Sequence, residues 1–162
     1  VAETTTGVRV MQLGSLPPVD AKKAILWTNE HAQEELYQTV QPGATDAKAT
    51  IFASGSEVEI ALAARDLLAK DGVAARVVCV PSTELFAARP AAERKAVIGD
   101  APVKLAIEAG VRQGWDAIIG ADGLFVGMSG FGMSGPYKEV YAACGITAQA
   151  AADQIRKALG RA

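Results

Sequence analysis

Two stretches of this chain carry residue types and spacings that could hold a phosphate. Gly130-Phe-Gly132-Met-Ser-Gly135 spells G-x-G-x-x-G, and it lies between an apolar run, Leu124 to Met128, and a helix-like run opening at Pro136. In a strand–turn–helix setting such glycines let the backbone approach a pyrophosphate at a helix N-terminus. Ser54-Gly55-Ser56 stands at a second such junction, after the apolar Ala49 to Ala53. Its helix-terminal amides could meet an anion, although the lysine of a P-loop is missing. Glu108 ends a third apolar run, where sites in α/β proteins often form. Ser54, Gly55, Ser56, Glu108, Gly130, Gly132 and Gly135 are thus the candidates for an anion site or an interface.

The dinucleotide reading fails on the chain beyond the motif. It requires an acidic residue about 20 positions on, at the end of the next strand, to hold a ribose. Asp153 is near that distance but falls inside the final helical pattern, and no strand comes after Gly135. The glycines read better as permitting positive φ and close backbone approach in a tight, partly buried loop. Ser129 and Ser134 do not form a nucleophile elbow, because Phe131 and Pro136 stand where glycine is required.

Ser56 with Glu59 three residues later reads as a helix capping box, and Glu57 suits the positive helix end. Glu84 and Glu108, at strand ends, read as groups for backbone amides or a partner surface. His31 is the single histidine; without a second histidine or paired cysteines no zinc site is expected, and a histidine-based triad could use only His31, in the least structured part of the sequence. Cys79 and Cys144 read as reduced, buried thiols. The sequence therefore predicts no catalytic, cofactor-binding or metal-binding residue in this chain.

The elements that must position these residues alternate from Ala47 onward. Strands are expected at 49–53, 76–80, 103–108 and 124–128, with helices from Ser56 to Asp71-Gly72, from Pro90 to Ile98, from Pro136 to Gly145, and from Thr147 to Gly160. Short apolar strands separated by helices imply a parallel sheet covered on both faces. The first 46 residues differ in texture, with Pro17-Pro18 and the turn-rich Gln41 to Asp46. Residues 1–34 are read as a linker or arm and 35–162 as the domain. Val8 to Leu13 and Leu36 to Val40 are read as short strands, the latter delivering one edge strand.

Composition narrows the partners. The chain has 162 residues, is 50% hydrophobic and 21% charged, and carries a formal net charge of −2. No basic footprint for nucleic acid is present. No apolar run approaches the roughly 18 residues a membrane span needs. No signal peptide is recognisable at the N-terminus, and the expected compartment is the cytoplasm. Val1 in place of Met is read as the mark of a fragment or a processed product.

Taken together, the segments from about 47 to 160 resemble the C-terminal domain of transketolase. Ala53-Ser-Gly-Ser-Glu-Val58 is similar to the family's A-T-G-S-E-V, and Ala75-Arg-Val-Val-Cys-Val-Pro81-Ser-Thr-Glu-Leu-Phe86 to its R-V-V-S-M-P-S-x-E-L-F. Ile107-Glu-Ala-Gly110 with Gly114-Trp115 is similar to V-E-A-G and G-W, the run Gly127 to Pro136 to G-x-x-x-F-G-x-S-A-P, and Gly145-Ile-Thr147 to G-F-T. Departures are modest: Gly135 replaces an alanine, Tyr137 to Val140 a more acidic helix start, and the arm before Asp46 matches poorly apart from Glu35 to Val40.

The resemblance implies a three-layer α/β/α sandwich on a mostly parallel five-stranded sheet with one antiparallel edge strand. Transketolases move a two-carbon ketol unit between sugar phosphates in the pentose phosphate pathway, using thiamine diphosphate and a divalent cation, magnesium or calcium. In the family those cofactors lie between two other domains at a dimer interface, and the G-D-G...N-N motif that holds them is missing here. The resemblance therefore implies a non-catalytic domain whose partners are the remaining transketolase domains and the second subunit of a homodimer. Two other readings stand beside it. One is an anion- or small-molecule-binding regulatory module; the other is the equivalent domain of deoxyxylulose-phosphate synthase or a 2-oxoacid dehydrogenase.

Overall fold

The computed structural model describes residues 46–161, together with two short strands, β1 (Ala2–Glu3) and β2 (Arg9–Val10), which pair antiparallel. The chain divides into two units, Val1–Leu36 and Tyr37–Ala162. β2 falls within the strand expected at Val8 to Leu13. The edge strand expected at Leu36 to Val40 lies outside the described residues.

In the second unit the order is β3 (Ala49–Ala53), α1 (Glu57–Lys70), β4 (Ala75–Cys79), α2 (Thr83–Ala87), α3 (Ala91–Ile98), β5 (Val103–Ile107), α4 (Asp116–Ile119), β6 (Leu124–Val126), α5 (Tyr137–Ala143) and α6 (Ala148–Ala158). The four strands form one sheet in the order β4-β3-β5-β6, and every neighbouring pair is parallel. β3 is buried along its whole length, as expected of a central strand with helices on both faces.

Alternation along the strands sorts the core into two layers. Phe52, Val78 and Ala106, which are register partners, face a cluster with Phe86, Trp115, Ile118 and Ile119. Their neighbours Ile51, Val77 and Leu105 point to the other face, where α1 and α6 pack on each other and on the sheet. Ala61, Ala64 and Leu68 of α1 and Ala151, Ala152 and Ile155 of α6 are buried. Small residues here let the two helices lie close.

Helix ends follow local chemistry where nothing stronger competes. Gly72 has φ +69°, and the bonds Gly72 N to Ala69 O and Val73 N to Leu68 O, each 3.0 Å, close α1 in a Schellman motif. Arg156 of α6 pairs with Asp71 beside it at 2.5 Å, which ties the ends of the two packed helices. Thr147 caps α6 by accepting from Ala150 N at 3.1 Å, as the sequence predicts.

The capping box predicted for Ser56 and Glu59 does not form. The Ser56 side chain makes no cap bond; its Oγ donates instead to Glu57 Oε1 at 2.9 Å. The backbone at Ser56, with φ −69° and ψ −24°, has already entered the helical region, whereas a capping side chain needs an extended N-cap residue to reach back to the first free amides. The strand ends also differ slightly from expectation: β5 stops at Ile107 and β6 at Val126, so Glu108, Gly127 and Met128 belong to the loops beyond the sheet.

Candidate functional site

β3 has β4 on one side and β5 on the other, so the winding direction reverses between β3 and β5. In open α/β sheets that reversal opens a crevice at the carboxyl ends of the strands, the usual place for a site. Ser54 and Glu108 are the first residues beyond β3 and β5. Their side chains meet across this switch point, Ser54 Oγ donating to Glu108 Oε2 at 3.0 Å. Gly55 next to them has φ +50°, a left-handed conformation that glycine adopts without strain.

Behind this pair lies a second carboxylate. Glu57, in the first turn of α1, is only 4% exposed. Its Oε1 accepts from Ser56 Oγ at 2.9 Å and from Tyr141 OH at 2.5 Å. The α1 N-terminus favours that charge through its dipole. Tyr141 belongs to α5, so its bond joins the segment after β6 to the start of α1. The Glu57 hydrogen bond pushes the Tyr141 phenol above its ordinary range, with smaller contributions from burial and from the charges of Glu57 and Glu108, while Ser56 opposes.

The glycine-rich run divides into a tightly built part and an open part. Gly120 has φ +81°. A Cβ on Gly127 would stand 2.7 Å from the Glu108 carbonyl and 2.5 Å from Phe125 Cζ, so only glycine fits where β6 leaves the sheet beside Glu108. The next amide continues the β5–β6 pairing, Met128 N donating to Gly110 O at 2.8 Å. From Ser129 through Glu139 every residue is exposed. Gly130 and Gly132 have neither positive φ nor a neighbour that a Cβ would meet. The expectation of a tight, partly buried loop at 130–135 is therefore corrected: the demand for glycine sits at Gly120, through its positive φ, and at Gly123 and Gly127, where a Cβ would clash.

The structure brings Ser54, Ser56, Glu57 and Glu108 to one end of the sheet and leaves Gly130, Gly132 and Gly135 on the exposed loop beside it. Sequence reasoning missed Tyr141, whose partner Glu57 is 84 residues away and whose helical spacing reads as ordinary core. Glu84 lies beyond the end of β4, in the first turn of α2. There Ser82 caps Leu85 N and donates to Glu84 Oε2. The Glu84 carboxyl is held below its usual range, first by a backbone hydrogen bond and then by Ser82. Cys79 and Cys144 are both free and half-buried, and burial pushes the Cys79 thiol up. Among the described residues no cluster of three or more His, Cys, Asp or Glu could hold a metal. Among them, too, no helix is long and apolar enough to cross a membrane.

These features define a doubly wound parallel α/β domain whose polar side chains and exposed loops gather at the carboxyl edge of the sheet. A family model described as the transketolase-like TK C-terminal domain matches residues 36–147, and the chain belongs to that family. Transketolase from Cereibacter sphaeroides is 44% identical over 154 residues, 92% of this chain and 22% of the relative. The structure of transketolase from Leishmania mexicana superposes with a TM-score of 0.69 at 34% identity, covering 82% of this chain and 19% of that one. Transketolase from Pichia stipitis, solved in complex with sedoheptulose-7-phosphate, superposes with a TM-score of 0.69 at 26% identity over 76% of this chain and 18% of its own. The chain thus spans about a fifth of the length of the relatives it matches.

Proposed function

We propose that this chain serves as the non-catalytic C-terminal domain of a transketolase, packing on the remaining domains and supporting assembly of a homodimer in the cytoplasm. In this reading residues 35–162 form the domain and 1–34 a linker. The parent enzyme transfers a two-carbon ketol unit between sugar phosphates in the pentose phosphate pathway, with thiamine diphosphate and magnesium or calcium held by residues outside this chain.

The observation that carries the reading is the state of the switch-point crevice. Ser54 is committed to Glu108, and Ser56 and Tyr141 to Glu57. Two carboxylates occupy the place where a diphosphate would need donors and positive charge, and like charges repel there. The residues present do not fit thiamine diphosphate or its cation, so no catalytic step is assigned to them. The same geometry supports an interface at Ser54, Gly55, Ser56 and Glu108 over an anion site.

Calorimetry on the isolated chain separates these two uses. Titrated with inorganic phosphate, a sugar phosphate and thiamine diphosphate, the chain is expected to give no binding heat up to millimolar ligand. Micromolar binding of any of the three would favour the anion-binding module and overturn the structural reading.

A further inference from the structure

Among the described residues the exposed large apolar side chains are Leu85, Val111, Phe131, Met133 and Tyr137. All five lie on segments leaving the carboxyl ends of β4, β5 or β6, the edge of the sheet that also holds the polar crevice. Val111 comes after Gly110, whose carbonyl accepts from Met128 N. Tyr137 meets Tyr141 edge-on at 6.0 Å, and Tyr141 reaches Glu57. Phe131 is fully exposed. Clustered exposed apolar side chains of this kind mark an interaction surface.

Charge selects the occupant. Glu108 and Glu57 are bonded only to hydroxyl groups, and no cation pairs with either among the described residues. Arg112 is committed to Asp116 and to the carbonyls of Gly120, Ala121 and Gly123. Lys138 lies with its Nζ 5.9 Å from the Tyr137 ring centroid. A second copy docking through this same face would bring the Glu57 and Glu108 carboxylates of both chains into one interface, which like charges oppose. The other four-fifths of the relatives' length is polypeptide that such a face could meet.

We infer that the carboxyl edge of the sheet is the docking face for the remaining transketolase domains, which present an arginine or lysine to Glu108 between apolar side chains that cover Val111, Phe131, Met133 and Tyr137. The inference rests on the packing role proposed above and specifies which surface performs it. Aromatic anchors dominate such interfaces, while a half-buried charge pair fixes register and adds salt dependence.

The test mixes this chain with the part of Cereibacter sphaeroides transketolase that it does not match, expressed as a separate polypeptide, and measures association. Folding of each variant is checked by circular dichroism; the exposure of Phe131 and Met133 makes F131S/M133S safe for the fold. This double variant is expected to weaken association at least tenfold, and Glu108→Gln severalfold with a shallower salt dependence. Asp122→Lys, at the amino end of the sheet, is expected to leave association unchanged. If Asp122→Lys weakens binding and F131S/M133S does not, the docking face is wrong while the packing role stands. If the same double variant instead abolishes self-association of this chain, the occupant is a second copy and the inference is overturned. Absence of any association by the unaltered chain would overturn both the face and the packing role.

Discussion

Replacing Trp115 by alanine is expected to lower the stability of the domain by about 3–5 kcal/mol, the usual cost of truncating a buried aromatic to alanine. Trp115 is 4% exposed and packs with Phe52, Val78, Phe86 and Ala106 on one face of the sheet. It also opens α4, its carbonyl accepting from the amides of Ile118 and Ile119 at 2.9 Å. Arg112 holds the surrounding loop through Asp116 and the Gly123 carbonyl, at 2.8 and 2.7 Å, so the site cannot collapse freely around a smaller side chain. With a urea slope of about 2 kcal/mol/M the midpoint should fall by roughly 2 M. Since small domains are stable by about 5–15 kcal/mol, the variant should still fold in dilute buffer. A midpoint shift under about 0.5 M would show that the Gly114-Trp115 motif is not a core anchor.

Gly127→Ala is expected to cost about 1–3 kcal/mol, the range for inserting a methyl group into a filled space. The new Cβ would meet the Phe125 ring and, at 2.7 Å, the carbonyl of Glu108. The ring can turn only against the core cluster it packs on, and the carbonyl belongs to the backbone that places Glu108 opposite Ser54. Stability and the geometry of the crevice should therefore change together. Gly130→Ala, three residues on, meets nothing and should leave the melting temperature within about a degree. Equal effects of the two substitutions would remove the distinction between the built and open parts of the loop.

That contrast also shows where sequence reading reaches its limit. The strands at 49–53, 75–79 and 103–107 are legible because a parallel strand covered on both faces is apolar at nearly every position. The ends of α1 and α6 are legible because Gly72 and Thr147 meet local requirements that nothing overrides. Ser56 satisfies the same kind of local rule in its residue type, yet its backbone is already helical and its hydroxyl turns to Glu57, a conformation that residue spacing alone does not show. The four residues of α4 are too few to show a period. The glycine pattern identifies the segment, but spacing alone does not separate Gly127, which cannot carry a side chain, from Gly130 and Gly132, which can.

The family assignment and the local chemistry point the same way. The collinear motifs fall on strand ends, a core tryptophan and the loop around Gly127, and the two carboxylates at the switch point answer to hydroxyl groups of the same chain. Such an arrangement can hold a domain together and present a surface.

If catalysis depends on residues outside this chain, as proposed, turnover is the direct test. The purified chain is assayed with thiamine diphosphate, magnesium and a sugar-phosphate donor and acceptor, beside full-length Cereibacter sphaeroides transketolase as the positive control. Ketol transfer is expected from the control, and a rate indistinguishable from buffer from this chain. Ketol transfer that co-elutes with the 162-residue chain through a final sizing step would contradict the non-catalytic role.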